Sequence, residues 1–149
     1  MAATQDPIAK LTADHREVKR LFREFEGKGD RAVKAKATLY EEIAEALTTH
    51  TALEEEVFYP GVRSVAEEMV AESLEEHQQV KTLLADLAGL EPSDERFDAK
   101  MTVLIENVEH HAEEEEKEMF PRVKRALSAT QLRSLGTQMA DWQSQKRAA

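Results

Sequence analysis

The sequence contains no cysteine. Disulfide frameworks, thiolate metal sites, iron–sulfur clusters and cysteine nucleophiles are therefore excluded. Any bound metal must be held by His, Asp, Glu or Tyr. Glycine (5) and proline (4) are scarce in 149 residues, so few turns are available. Ala, Glu, Leu and Lys dominate instead, a composition that favours long helices. No segment approaches about 18 continuous apolar residues, and none is expected to span a membrane. The opening MAATQDPIAK has no long apolar stretch, so a signal peptide is not expected and a cytoplasmic location is. Basic residues are outnumbered, 20 Lys and Arg against 30 Asp and Glu, for a net charge of −10. Phosphate contacts need clustered Lys and Arg, which makes nucleic acid and anionic membrane poor partners.

What is present is helical periodicity. Asp6 as N-cap and Pro7 at the first helical position predict a helix start. Leu11, His15, Val18, Phe22 and Phe25 then fall on one face, and Gly27 and Gly29 end it. A second helix is expected over about 31–59, with Leu39, Ile43, Leu47, His50, Glu54 and Val57 on its stripe, until Pro60-Gly61 breaks or kinks it. A third, over about 64–88, carries Val70, Leu74, His77, Val80, Leu84 and Leu87. A fourth starts near Ser93 or Asp94; its stripe is Phe97, Met101, Leu104, Val108, His111, Glu115 and Met119, and Pro121 interrupts it. Ser128-Ala-Thr-Gln131 has capping-box form and predicts a short last helix burying Leu132, Leu135, Met139 and Trp142. The expectation is one all-α domain over 1–149. An up-down-up-down antiparallel four-helix bundle would occupy about 6–126, with an extra C-terminal helix over about 128–146.

Each main stripe has a histidine where an apolar residue belongs: His15, His50, His77 and His111. Two stripes carry a glutamate one turn later, Glu54 and Glu115. One such histidine would read as a hydrogen-bonded core residue. Four histidines and two glutamates without a ligand would carry a severe desolvation cost, which a shared metal site removes.

The two halves of the chain repeat. Asp14-His15 matches Glu76-His77 at an offset of 62 residues, and His50-Thr-Ala-Leu-Glu54 matches His111-Ala-Glu-Glu-Glu115 at 61. Phe58-Tyr59-Pro60 continues the match against Met119-Phe120-Pro121. Each half is thus a helical hairpin with His on its first helix and His-xxx-Glu on its second. Residues four apart share a helix face, so that pair can reach one metal while the carboxylate extends to a neighbour. Two hairpins about a pseudo-twofold axis would assemble two metals. The repeat selects His111 as inward-facing and sets His110 about 100° round the helix, at the surface or boundary. It likewise sends Glu55, Glu56, Glu113 and Glu116 to solvent. Glu114, near the seam, is left as an acceptor for a ligand histidine.

This set of His15, His50-xxx-Glu54, His77 and His111-xxx-Glu115 resembles the hemerythrin-like, or HHE cation-binding, family over about residues 6–125. The resemblance implies a four-helix bundle around two iron ions, oxo- or hydroxo-bridged. His15 and His50 would serve one half, His77 and His111 the other, with Glu54 and Glu115 bridging. Zinc or manganese could substitute. Oxygen-carrying hemerythrins have a further histidine one turn before the third-helix ligand; here that position is Ser73. Two irons need about twelve bonds, the six residues and a bridging oxygen supply about ten, and roughly two remain open. Such openness suits chemistry with O2, hydrogen peroxide or nitric oxide, including a catalase-like reaction, or else oxygen or iron sensing or iron storage without turnover. Tyr59 is a candidate for the gap, but its α-helical angle is poor and packing beside Pro60 is the favoured reading. The expected partner is a small diatomic or peroxide ligand, and the chain is expected to be a monomer or weak homo-oligomer.

Overall fold

The computed structural model describes residues 6–29 and 31–148. Among these the chain is all-helical, with no strand. Helix α1 (Pro7–Glu26) begins where Asp6 Oδ1 accepts from the backbone N–H groups of Ile8 and Ala9, at 2.9 and 3.1 Å. These are two donors that the first helical turn leaves without partners. Helix α2 (Val33–Leu53) runs on through a π-helical segment, Glu54–Phe58, into the short α3 (Tyr59–Val62). After a turn, α4 (Glu67–Ala88) leads to α5 (Glu95–Glu114), whose N-cap is Asp94. A second π-helical segment, Glu115–Met119, joins α5 to α6 (Phe120–Ala126). The last helix is α7 (Ala129–Ala148); at 20 residues it equals α1 and α5 and is not the short helix expected from the sequence. Its capping box is reciprocal: Gln131 N–H donates to Ser128 Oγ at 3.1 Å and Ser128 N–H to Gln131 Oε1 at 2.8 Å.

The two prolines do not stop their helices as the sequence suggests. Proline lacks an N–H, and its ring collides with the carbonyl four residues back in a regular α-turn. Here the turn before each proline is widened. Tyr59 N–H donates to Glu54 C=O and Phe120 N–H to Glu115 C=O, a five-residue step in both cases. The widened turn moves the obstructing carbonyl aside, and the helical path passes through Pro60 and Pro121. The inserted step also changes which residues face inward. Phe58 and Tyr59 are buried, whereas Val57, on the expected stripe, is only partly so.

Helix α1 packs against α2 and α5, and α4 against α5 and α2. The apolar interior falls into two clusters. One includes Leu11, Leu53, Phe58, Val70, Phe120 and Val123; the other includes Phe22, Leu39, Ile43, Leu47, Phe97 and Leu104. Buried His50, Glu54, His77, His111 and Glu115 stand on the continuous helical stretches 33–62, 67–88 and 95–126, each of which contributes to both. Helix α7 lies over the first π segment and α1, with Leu135 and Met139 buried, Leu132 and Trp142 half-buried. Trp142 Nε1–H donates to Glu56 Oε1 at 3.0 Å, and Glu56 is exposed as expected. Gly61 permits the close approach: a Cβ there would stand 2.6 Å from Leu135 Cδ1. No helix among the described residues is long and apolar enough to cross a membrane.

Leu135→Ala removes the side chain that seats α7 on Gly61. It should destabilise the protein by about 2–5 kcal/mol in denaturant titration, the range for truncating a buried leucine. A loss below about 1 kcal/mol would mean that α7 is not docked as described.

Candidate metal centre

All six residues singled out by the repeat converge. Donor atoms of His15, His50, Glu54 and Glu115 lie within 4.8 Å of one another, as do those of Glu54, His77, His111 and Glu115. The two groups share both glutamates. Glu54 Oε1 is 3.4 Å from His50 Nε2 and 3.0 Å from His77 Nε2. Glu115 reaches His15 Nε2 at 3.1 Å and His111 Nε2 at 3.3 Å. Each carboxylate therefore touches one histidine of each pair. The rings of His15 and His50 are 5.0 Å apart, edge to face, and so are those of His77 and His111. The pseudo-twofold arrangement is visible side chain by side chain.

Every Nε2 faces the centre because every Nδ1 is held from behind by a carboxylate. His15 Nδ1 is 2.6 Å from Glu116, His50 Nδ1 2.9 Å from Asp14, His77 Nδ1 2.8 Å from Glu55 and His111 Nδ1 2.5 Å from Glu76. Such partners fix the ring orientation and tautomer of a metal-binding histidine and raise its basicity. The sequence reading sent both Glu55 and Glu116 to solvent: Glu116 is exposed as expected yet reaches His15, whereas Glu55 is partly buried, which corrects that expectation. Each is the residue after an inward glutamate, and across the helix interface it meets a histidine of another helix. Asp14 and Glu76 each precede an inward histidine, so all four carboxylates adjoin a centre residue in the chain. Glu114 does not serve a centre histidine. It pairs with exposed His110 at 2.6 Å, one turn along the same helix face.

Tyr59 is a second correction. The α-helical angle placed it away from the centre, but the π segment brings it about one turn above Glu54. It is buried, and its hydroxyl donates to Glu115 Oε2 at 2.5 Å. Glu54 Oε1 is 3.1 Å away, His77 Nε2 3.2 Å and His111 Nε2 3.3 Å. Ser73 is also buried. Tyr59 is thus the additional polar side chain beside His77 and His111. The repeat equivalent of Tyr59 is Phe120, which lacks a donor and stacks on His15 at 6.0 Å between ring centroids. The two halves are therefore unequal: the His77–His111 side has a phenol and the His15–His50 side has none.

The donors suit a cation. Among the described residues, buried His50 Nε2 and Glu54 Oε2 have no hydrogen-bond partner. Without a metal the cluster neutralises itself with protons. Burial opposes a charged His50, but the Glu54 charge and the Asp14 hydrogen bond outweigh it, and the pKa is pushed up to about 10. Burial likewise opposes a charged His111, and Glu115 and Glu76 push it up to about 11. His15 is raised by Glu115 against the same burial. Glu115, although buried, is held well below the usual carboxylate range by His111 and His15. Burial and the charges of Glu54 and Glu115 push the Tyr59 phenol far above its ordinary range. A cavity of about 360 Å³ adjoins the four imidazoles, with Arg16, Lys19, Glu109 and Lys117 among its lining residues.

Residues 6–123 match the family model of the hemerythrin HHE cation binding domain. A crystal structure of a hemerythrin HHE cation binding domain-containing protein from Mycobacterium kansasii superposes with a TM-score of 0.83 at 25% identity. It covers 96% of this chain and 88% of that one. The chain is also 31% identical over 129 residues to a protein of Nostoc sp. (strain PCC 7120) named DNA nickase. That alignment takes in 86% of this chain, which spans only 36% of the relative's length.

The protonated histidines set a pH dependence for the metal-free protein. His50 and His111 have folded-state pKa values of about 10 and 11, above their ordinary 6.5. Their contribution is full below pH 6.5 and fades as pH rises towards those values. Glu115 acts oppositely, contributing above the ordinary carboxylate pKa of 4.5 and losing that contribution as pH falls. Scanning calorimetry should give the highest unfolding midpoint between about pH 5 and 6.5, with a steady fall towards about pH 10. A midpoint that rises across that alkaline range would contradict the pairing.

Proposed function

Because this chain belongs to the hemerythrin HHE cation binding family, we propose that its buried cluster holds two metal ions, iron first among them, and that the loaded centre binds or reduces a small oxidant: O2, hydrogen peroxide or nitric oxide. The observation that carries this reading is the sharing of Glu54 and Glu115 between two four-residue groups. A single ion would leave one histidine pair without a partner. Imidazole and carboxylate donors suit iron, manganese and zinc. We also read α1, α2, α4 and α5 as an up-down-up-down antiparallel bundle. The packing of α1 with α2 and α5, and of α4 with α5 and α2, supports that arrangement.

Each residue has a stated task. His15 and His50 would hold one ion and His77 and His111 the other, with Glu54 and Glu115 available to both. Asp14, Glu55, Glu76 and Glu116 orient the imidazoles through Nδ1. When bound, the metal pair supplies one-electron redox changes and open coordination positions for the oxidant. Tyr59 keeps its proton while the centre is metal-free. Beside a bound cation the Tyr59 hydroxyl would give up its proton more readily. Tyr59 would then serve the His77–His111 side, whereas Phe120 would offer no donor to the His15–His50 side. Nicking of nucleic acid forms no part of this reading, since a net charge of −10 offers a phosphate backbone little.

Elemental analysis after aerobic iron loading should find about two ions per chain, held by donors of the kind that two-metal sites use. Chelation should lower the unfolding midpoint, because metal binding to the folded state is linked to stability. One ion or none, with an unchanged midpoint, would sink the proposal. Tyr59→Phe is expected to retain both ions and to lose a visible phenolate-to-ferric absorption band. Persistence of that band would remove Tyr59 from the coordination sphere. Glu55→Ala, which releases His77 Nδ1, should weaken metal retention by about 10–100-fold in competition with a chelator.

A further inference from the structure

The cavity beside the centre is larger and more apolar than a diatomic gas or hydrogen peroxide requires. Its volume is about 360 Å³, whereas a water-sized molecule occupies about 30 Å³. The buried apolar part of the lining is Val18, Phe22, Leu47 and Val80, with Val108 beside them, while Arg16, Lys19, Glu113, Glu116 and Lys117, all exposed, form a charged rim. Water gains little against the apolar part, because a buried water needs two to four polar partners. A volume of this order, apolar with polar groups at one end, is typical of sites that enclose a small organic molecule.

We propose that this cavity binds the alkyl body of an organic hydroperoxide, with the oxygen head directed at the imidazole floor. This assignment rests on the metal-centre reading and narrows its substrate class. The division of the walls carries it. An oxygen head finds the imidazoles at the floor, and an alkyl group finds aliphatic and aromatic contacts on the buried apolar walls inside the charged rim. A branched group of about four carbons fits the space without crowding, whereas hydrogen peroxide would leave the apolar wall uncovered. Val108, on α5, is only partly buried and lines the cavity. A larger side chain at this position can fill the space without first displacing the core.

The test uses tert-butyl alcohol, the unreactive counterpart of tert-butyl hydroperoxide, with metal-free and zinc-loaded protein, both diamagnetic. Methyl NMR titration should show saturable shifts centred on Val18, Leu47, Val80 and Val108 in both forms. Val108→Phe should weaken binding by about tenfold or more, whereas Val108→Ala should keep it. Absence of saturable shifts, or equal binding by Val108→Phe, would overturn the assignment. Two zinc ions per chain with no alcohol binding would overturn it and leave the metal centre standing. Alcohol binding in a protein that takes up no metal pair would support the cavity and remove the metal-centre reading instead.

Discussion

Four imidazoles and two carboxylates enclosed by helices are the constraint on which the rest of this molecule depends. Glu54 and Glu115 are completely or almost completely buried, and all four histidine side chains are shielded to within a tenth of full exposure. Isolated charges there would cost several kcal/mol each even after relaxation. The surroundings remove that problem in two ways. Each histidine is paired on its inner side with a shared glutamate and on its outer side with a carboxylate at the helix seam. The same donors, stripped of their protons, form two complete ligand groups. Protons and metal ions are therefore alternative occupants of one electrostatic arrangement, and loading the proposed pair must displace protons.

The internal repeat explains how one constraint is met twice, and its departures explain why the halves differ. Equivalent histidines, glutamates and outer carboxylates recur at 61 or 62 residues, and both π segments recur with them. Each widened turn lets an inward glutamate be followed five residues later by another inward side chain. In the first half that side chain is Tyr59, in the second Phe120. A repeated backbone device thus yields a polar wall on one side and an apolar one on the other. Gly61 adds a further departure. It admits Leu135 and hence α7, whereas the corresponding position in the second half is Arg122.

The six central residues were legible because regular helix extends from His50 to Glu54 and from His111 to Glu115, where a four-residue spacing holds. The helix starts at Asp6 and Ser128 were legible for a similar reason, since cap chemistry is local. Legibility ended at the π segments. One inserted residue changes the helical phase, so a 3.6-residue period misplaces the side chains beyond it. Val57 and Tyr59 exchange roles for this reason. The signal was present in Pro60 and Pro121, each next to an aromatic residue within an otherwise unbroken helical pattern. The outer carboxylates were hidden by context. Glu55 and Glu116 lie in acidic runs that read as solvated faces, and only the packing of neighbouring helices discloses what they touch. A sequence rule does survive: each adjoins a central residue, as Asp14 and Glu76 do.

The central claim is that Glu54 and Glu115 join two ions into one centre. X-ray absorption at the metal edge of the iron-loaded protein addresses it directly. Two ions so joined should give imidazole scattering together with a metal–metal vector of about 3–4 Å, the separation found in two-metal sites. Imidazole scattering with no metal–metal vector, at full metal occupancy, would contradict it.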